Sequence, residues 1–263
     1  MGIKNQRKNT VLEMAITKVT KGGEMKRQKF YKLAHPTGWD FYSFNEGTGT
    51  GTINYRTNIG KTVVCPKYDK TGRLCSSAFI HASRTPEKCF VGAKIPCSIY
   101  LVKGIPIIED ADKAGFLELA IVQELQPEEV FKWDYKEAIN PVNPFSLSPP
   151  KISENHIQNI QKWDSIRDSI RDSIRASVRD SVRDSIRNSV RDSIRDSIGD
   201  SIRDSIWAYT GHLFRNCVPQ WKPSYPFQPV ITLWYEGLVP SYDRKIWRLH
   251  SKDGIAWEGQ PNA

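Results

Sequence analysis

From Asp164 to Trp207 the chain repeats one tetrapeptide eleven times, with Ser always second and Ile or Val always third. The first place is Asp except at Ala176 and Asn188, and the fourth is Arg except at Gly199 and Trp207. Nothing else in the sequence limits the fold so strongly. An α-helix turns about 100° per residue, so a four-residue period carries the aliphatic row about 40° further round the helix with each unit. Over the whole segment the row passes every side, and one continuous helix has no single core face. As an unbroken helix the segment is a rod of roughly 65 Å with Asp and Arg paired at i, i+3, and it needs partners that wrap it in a right-handed sense. Ser and Asp are indifferent helix formers, and every i, i+4 charge pair joins like charges. As a strand it puts Asp and Ile on one face and Ser and Arg on the other, which only a short-period solenoid with small corners accommodates. The helix is the leading expectation and the solenoid its alternative.

The repeat is neutral, with nine Asp against nine Arg, so it leaves no electrostatic footprint for nucleic acid. The whole chain carries 38 Lys and Arg against 29 Asp and Glu, a net +9. That excess is local: residues 1–33 hold nine basic and two acidic groups, whereas 34–156 hold thirteen and fourteen. Nucleic acid is therefore expected as a partner only through a basic, flexible tail at 1–29. Met25 offers an alternative start within it. No run approaches the ~18 apolar residues of a membrane helix, and the first residues lack the apolar middle of a secretion signal. Gln6 stands where a myristoylation motif needs Ser or Thr. The expectation is a cytoplasmic protein with no membrane contact, and five dispersed cysteines fit free thiols in a reducing compartment.

The predicted fold class is α+β: a mostly antiparallel head at 30–139, a Pro-rich linker at 140–151, the repeat segment at 152–206 and an aromatic-rich module at 207–263. Predicted head strands are 52–54, 62–65, 78–81, 98–102, 106–108 and 116–122, with a short helix start at 85–90 and a helix from Pro127 to about Ala138. In the last module a helix runs over 229–236 and stops at Gly237. A hairpin of 245–251 with 255–258 follows, placing Trp247, Leu249, Ile255 and Trp257 on one face. These tryptophans read as the core of a small module, with base stacking as the functional alternative.

Chemical motifs are few. Gly60-Lys61-Thr62 ends like a phosphate-binding loop, but Tyr55 occupies the place of the required first Gly. Gly47 to Gly51 is followed by strand-like residues instead of a helix and reads as a loop. Cys65, Cys75, His81, Cys89 and Cys97 include no close Cys pair of the kind that anchors zinc, so they read as free cysteines and no metal is expected. Cys75 with His81 is a nucleophile and base pair only if the fold brings them together.

The run Ala78 to Glu87, followed by Ile95 to Val102, resembles the central part of ADP-ribosyltransferase-like domains. That resemblance implies NAD as cofactor, Arg56, Ser83 and Glu118 (or Glu124) as catalytic residues, and Tyr55 and His81 as NAD-binding residues. Asn58 to Lys61, Leu74-Cys75 and Phe79 to Ser83, the repeat itself, and the tail from Leu233 to Tyr242 resemble a group of phage and microbial short-repeat proteins headed by a domain of unknown function. That likeness implies a modular protein of a microbial or virus-infected cell and no particular reaction. The leading expectation is thus a non-enzymatic protein without cofactor whose repeat serves as a spacer or assembly surface, self-associating or binding another protein. The alternative is an NAD-dependent ADP-ribosyltransferase-like effector with the repeat as targeting segment.

Overall fold

The computed structural model describes residues 27–69, 71–178, 180–193 and 202–261. The basic tail, except for residues 27–29, and repeat residues 194–201 lie outside the described residues.

The described residues of the first half carry seven strands: β1 (Gln28–Ala34), β2 (Thr62–Val64), β3 (Ile80–Ala82), β4 (Ser98–Gly104), β5 (Ile108–Glu109), β6 (Ala114–Phe116) and β7 (Glu118–Leu125). They form two antiparallel sheets, ordered β1-β4-β7-β2 and β3-β6-β5. The central β4 reads Ser-Ile-Tyr-Leu-Val-Lys-Gly and is buried at Ile99, Tyr100 and Val102, as a strand paired on both sides requires. Val102 lies opposite Phe30 on β1 and Ile121 on β7. The sheets meet where Tyr31 and Ser83 exchange both backbone hydrogen bonds, at 2.7 and 2.9 Å. Phe30 and Phe116 pack edge to face across the join, with ring centroids 4.9 Å apart.

Among the described residues seven α-helices follow: α1 (Pro127–Val130), α2 (Tyr135–Ile139), α3 (Glu154–Ile166), α4 (Ile170–Ser177), α5 (Asp180–Ser193), α6 (Arg203–His212) and α7 (Gln228–Tyr235). Three last strands, β8 (Val239–Tyr242), β9 (Trp247–Ser251) and β10 (Gly254–Gly259), make an antiparallel sheet in the order β10-β9-β8. The α+β class is as expected. The described part of the repeat, however, forms neither one rod nor a solenoid: it is cut by a 3₁₀ turn at Arg167–Ser169 and by extended backbone at Val178, φ −123° and ψ 130°.

These breaks answer the drift of the aliphatic row. Within α5, Val182, Ile186 and Val190 drift only about 80° in total, inside the width of one buried stripe; all three are buried. Ile170 and Ile174 do the same for α4. α4 ends at Ser177 after two turns of its row, and α5 restarts with its row facing the core. The helix they enclose, α6, buries every residue from Ser205 to His212 except Ile206, which is partly buried. Gly211 leaves the space that Ile174 fills, since a Cβ there would meet Ile174 Cδ1 at 2.7 Å.

One hydrophobic core contains Leu33 and Ile99 from the strands, Phe90 from the 3₁₀ turn at Glu87–Phe90, Ile170 to Val190 from the repeat, and Trp234, Trp247 and Leu249 from the last module. Phe131 and Trp133 stack in it at 4.7 Å, which explains why the helix expected over 127–138 divides: the chain turns at 131–134 to bury both rings, and the Asp134 carboxylate caps α2 by accepting the Glu137 amide at 3.2 Å. The Pro-rich segment is tied down as well. The Val142 amide donates to Tyr209 Oη, and the Val142 carbonyl accepts from Trp234 Nε1, both at 2.9 Å.

Two further expectations change. Residues 52–54 form no strand; Asn54 makes only an isolated bridge to Trp39. In the last hairpin a bulge between Ile255 and Trp257 shifts the register, so Ile255 faces solvent while Trp247 and Leu249 are buried. The stop at Gly237 has the expected form: φ is +79°, with the Leu238 amide donating to the Leu233 carbonyl and the Gly237 amide to that of Trp234.

Candidate functional site

A cavity of about 480 Å³ opens in the strand-built half, between β1, β3 and the loops around Asp40, Lys67 and Val91. Its wall carries a charged pair. Lys32 lies on β1 between Tyr31 and Leu33 and would be an uncompensated buried ammonium without a partner. The turn at His35–Gly38, where Gly38 has φ +90°, sends the chain back so that Asp40 Oδ1 reaches Lys32 Nζ at 2.6 Å. Tyr55 Oη donates to the same carboxylate at 3.3 Å and the Tyr42 amide at 3.1 Å. Burial alone would lower the Lys32 pKa, but the charge of Asp40 and the contact with Tyr55 outweigh it and hold the ammonium above its ordinary value. Burial raises Asp40 and Lys32 lowers it, with a net shift downward. Both groups stay ionised as a matched pair.

His81 on β3 faces the same space. Burial, with Lys32 and Lys113 nearby, lowers its pKa to about 4, so the ring is neutral at neutral pH. Its Nε2 accepts the Cys75 amide at 3.0 Å, which places the ring proton on Nδ1. The fold thus brings Cys75 and His81 together, but through the Cys75 backbone, which has φ +66°. The thiol points elsewhere, with Sγ 3.7 Å from Lys113 Nζ, and that ammonium also donates to the Val91 carbonyl. All five cysteines are free, and burial raises Cys89 to about 11 and Cys97 to about 12. Among the described residues no group of three or more His, Cys, Asp or Glu is placed to hold a metal.

The residues implied by the ADP-ribosyltransferase likeness divide. Tyr55, His81 and Ser83 all line the cavity. Arg56 does not: it binds Glu124 through both carboxylate oxygens, at 2.6 and 2.9 Å, and Ser98 Oγ at 3.0 Å. The hydrogen bonds from Arg56 lower the Glu124 pKa. Glu118 is also outside the cavity and pairs with Arg27 at 2.7 Å. Gly60-Lys61-Thr62 forms a turn into β2 with Gly60 at φ +80°, and no helix follows it.

Sequence reasoning missed Lys32, Asp40, Lys67 and Lys113. Lys32 carried a usable signal, a charge inside the aromatic and apolar run from Phe30 to Ala34; the lysines in loops carried none. No helix among the described residues is long and apolar enough to cross a membrane. Compared with protein-family models, with curated proteins and with solved structures, the chain finds no match.

Proposed function

We propose that this is a non-enzymatic binding protein whose strand-built half takes a small molecule and whose repeat is the internal scaffold supporting that half. The cavity carries the reading: about 480 Å³ lined by aromatic, hydroxyl and charged side chains, a size and a lining common to small-molecule sites. Lys32 and Asp40 are spent on each other, and the acceptor nitrogen of His81 is spent on the Cys75 amide. None of these three is left poised as an acid or base near neutral pH. The interaction role implied by the likeness to short-repeat proteins moves from the repeat to the head. Of the aliphatic row that a second copy would need, Ile170, Ile174, Val178, Val182, Ile186, Val190 and Ile202 are already buried in the chain's own core.

The test is thermal unfolding of the full chain against a panel of small metabolites, with Ala93→Trp built to fill the cavity that Ala93 lines. A ligand should raise the melting temperature by more than about 2 °C in the parent and not in the variant. No shift with any compound, or shifts that persist in Ala93→Trp, would contradict the reading.

One observation favours a second reading: Tyr55, His81 and Ser83 share the cavity. Arg56 would have to leave Glu124 to join them. Transfer of ADP-ribose from NAD that is abolished in Arg56→Ala would support an ADP-ribosyltransferase-like activity, and no transfer would remove it.

A further inference from the structure

The charges around the cavity select among ligands. Lys32, Lys67 and Lys113 line it against the single carboxylate of Asp40. Asp40 is consumed by Lys32 at 2.6 Å. Lys67 and Lys113 belong to none of the ion pairs found among the described residues. Asp110 attracts Lys113 from nearby, but its Oδ1 accepts the amides of Asp112 and Lys113, both at 2.7 Å. Of the three protons on Lys113 Nζ, one goes to the Val91 carbonyl and one faces Cys75 Sγ, so one stays available. The cavity lining therefore carries an excess of positive charge, three lysines against Asp40 with Asp110 partly offsetting Lys113 from outside, beside aromatic side chains, Phe41 and Phe79 among them.

Resting on the binding reading above, we propose that the ligand is a small organic oxyanion, a carboxylate or phosphate ester on a flat unsaturated body. Its anionic group sits on Lys67 and Lys113 and its body lies against the aromatic wall. A charge-assisted hydrogen bond to each ammonium fixes the anion, and the apolar side chains desolvate the rest. The exposed Cys75 thiol, 3.7 Å from Lys113 Nζ, neighbours any anion held there and reports on it.

The experiment measures alkylation of Cys75 by iodoacetamide in the full chain, read by mass spectrometry, with four probes of similar shape. Phenyl phosphate and benzoate carry the anion, benzamide is neutral and benzylamine is cationic. Phenyl phosphate or benzoate should slow alkylation of Cys75 and leave the rate at Cys217 unchanged, and the order of the two anions tells phosphate from carboxylate. Lys113→Gln and Lys67→Gln, each compared with its own unliganded rate, should weaken that protection about tenfold, as loss of a charge-assisted bond predicts. Equal protection by benzamide or benzylamine, or full protection by the anions in both lysine variants, would overturn the anion while leaving the binding cavity standing. Protection by none of the four, together with no thermal shift across the metabolite panel, would overturn both.

Discussion

Lys32 and Asp40 show how one buried charge dictates a neighbourhood. Their side chains are 12% and 15% exposed, so removing one partner strands the other. Asp40→Ala should cost about 3–5 kcal/mol of stability in urea unfolding, and Lys32→Met in the same chain should recover much of it. A small loss in Asp40→Ala would mean that water reaches the pair. The histidines set the acid limit of the fold. Burial holds His81 and His212 down to about 4, against an ordinary 6.5. Between those values the unfolded chain binds a proton at each and the folded chain does not. Stability is therefore complete above about pH 6.5 and drains as the pH falls toward 4. Urea midpoints at pH 7 and pH 5 should show this fall, and His212→Phe should lessen it. At this scale little was legible beforehand. Cys75 and His81 are near in sequence, but their contact uses an amide instead of the thiol, a result of the positive φ at Cys75 that residue types do not announce.

At the scale of elements, the legible parts were those with local causes. β2, β4 and α7 follow from alternation, β-branched residues and the Gly237 stop, and they lie where expected. The division of the repeat was not legible, because every unit reads almost alike and the breaks depend on what each helix packs against. Serines that look interchangeable do different things: Ser185 Oγ accepts the Ile95 amide at 3.1 Å, Ser189 donates to the Ala138 carbonyl at 3.0 Å and Ser205 to that of Pro240 at 3.0 Å. Arginines in the fourth place also converge, with Arg175, Arg183 and Arg187 placed 5.9, 5.5 and 5.2 Å from the ring of Trp207. Position within the repeat should therefore matter. Ile186→Ala, at a fully buried site, should cost about 2–5 kcal/mol, whereas Ser165→Ala, whose hydroxyl reaches only the Lys162 carbonyl at an exposed site, should change stability by less than about 0.5 kcal/mol. Equal effects in urea unfolding would contradict the assignment. Gly211→Ala should cost about 1–3 kcal/mol, since the methyl group meets Ile174.

For the whole molecule, the repeat holds the protein together instead of holding its parts apart. Among the described residues, Ile170 to Val190 of its aliphatic row share one core with Leu33 and Ile99 of the strand-built half and with Trp234 and Trp247 of the tryptophan-rich end. Ser185 reaches the first and Ser205 and Arg167 the second, and the cavity lies in the strand-built half, beside that half's own core of Tyr55, Cys65 and Ile80. The most direct test is urea unfolding of the full chain followed at once by far-ultraviolet circular dichroism, which reports the helices, and by alkylation of buried Cys65, which lies in the strand-built half. If the repeat is scaffold, the two transitions coincide, and Ile186→Ala moves both to lower urea by the same amount. If the helices melt first while Cys65 stays protected, or if Ile186→Ala shifts only the dichroism, the repeat is an appendage and the account is wrong.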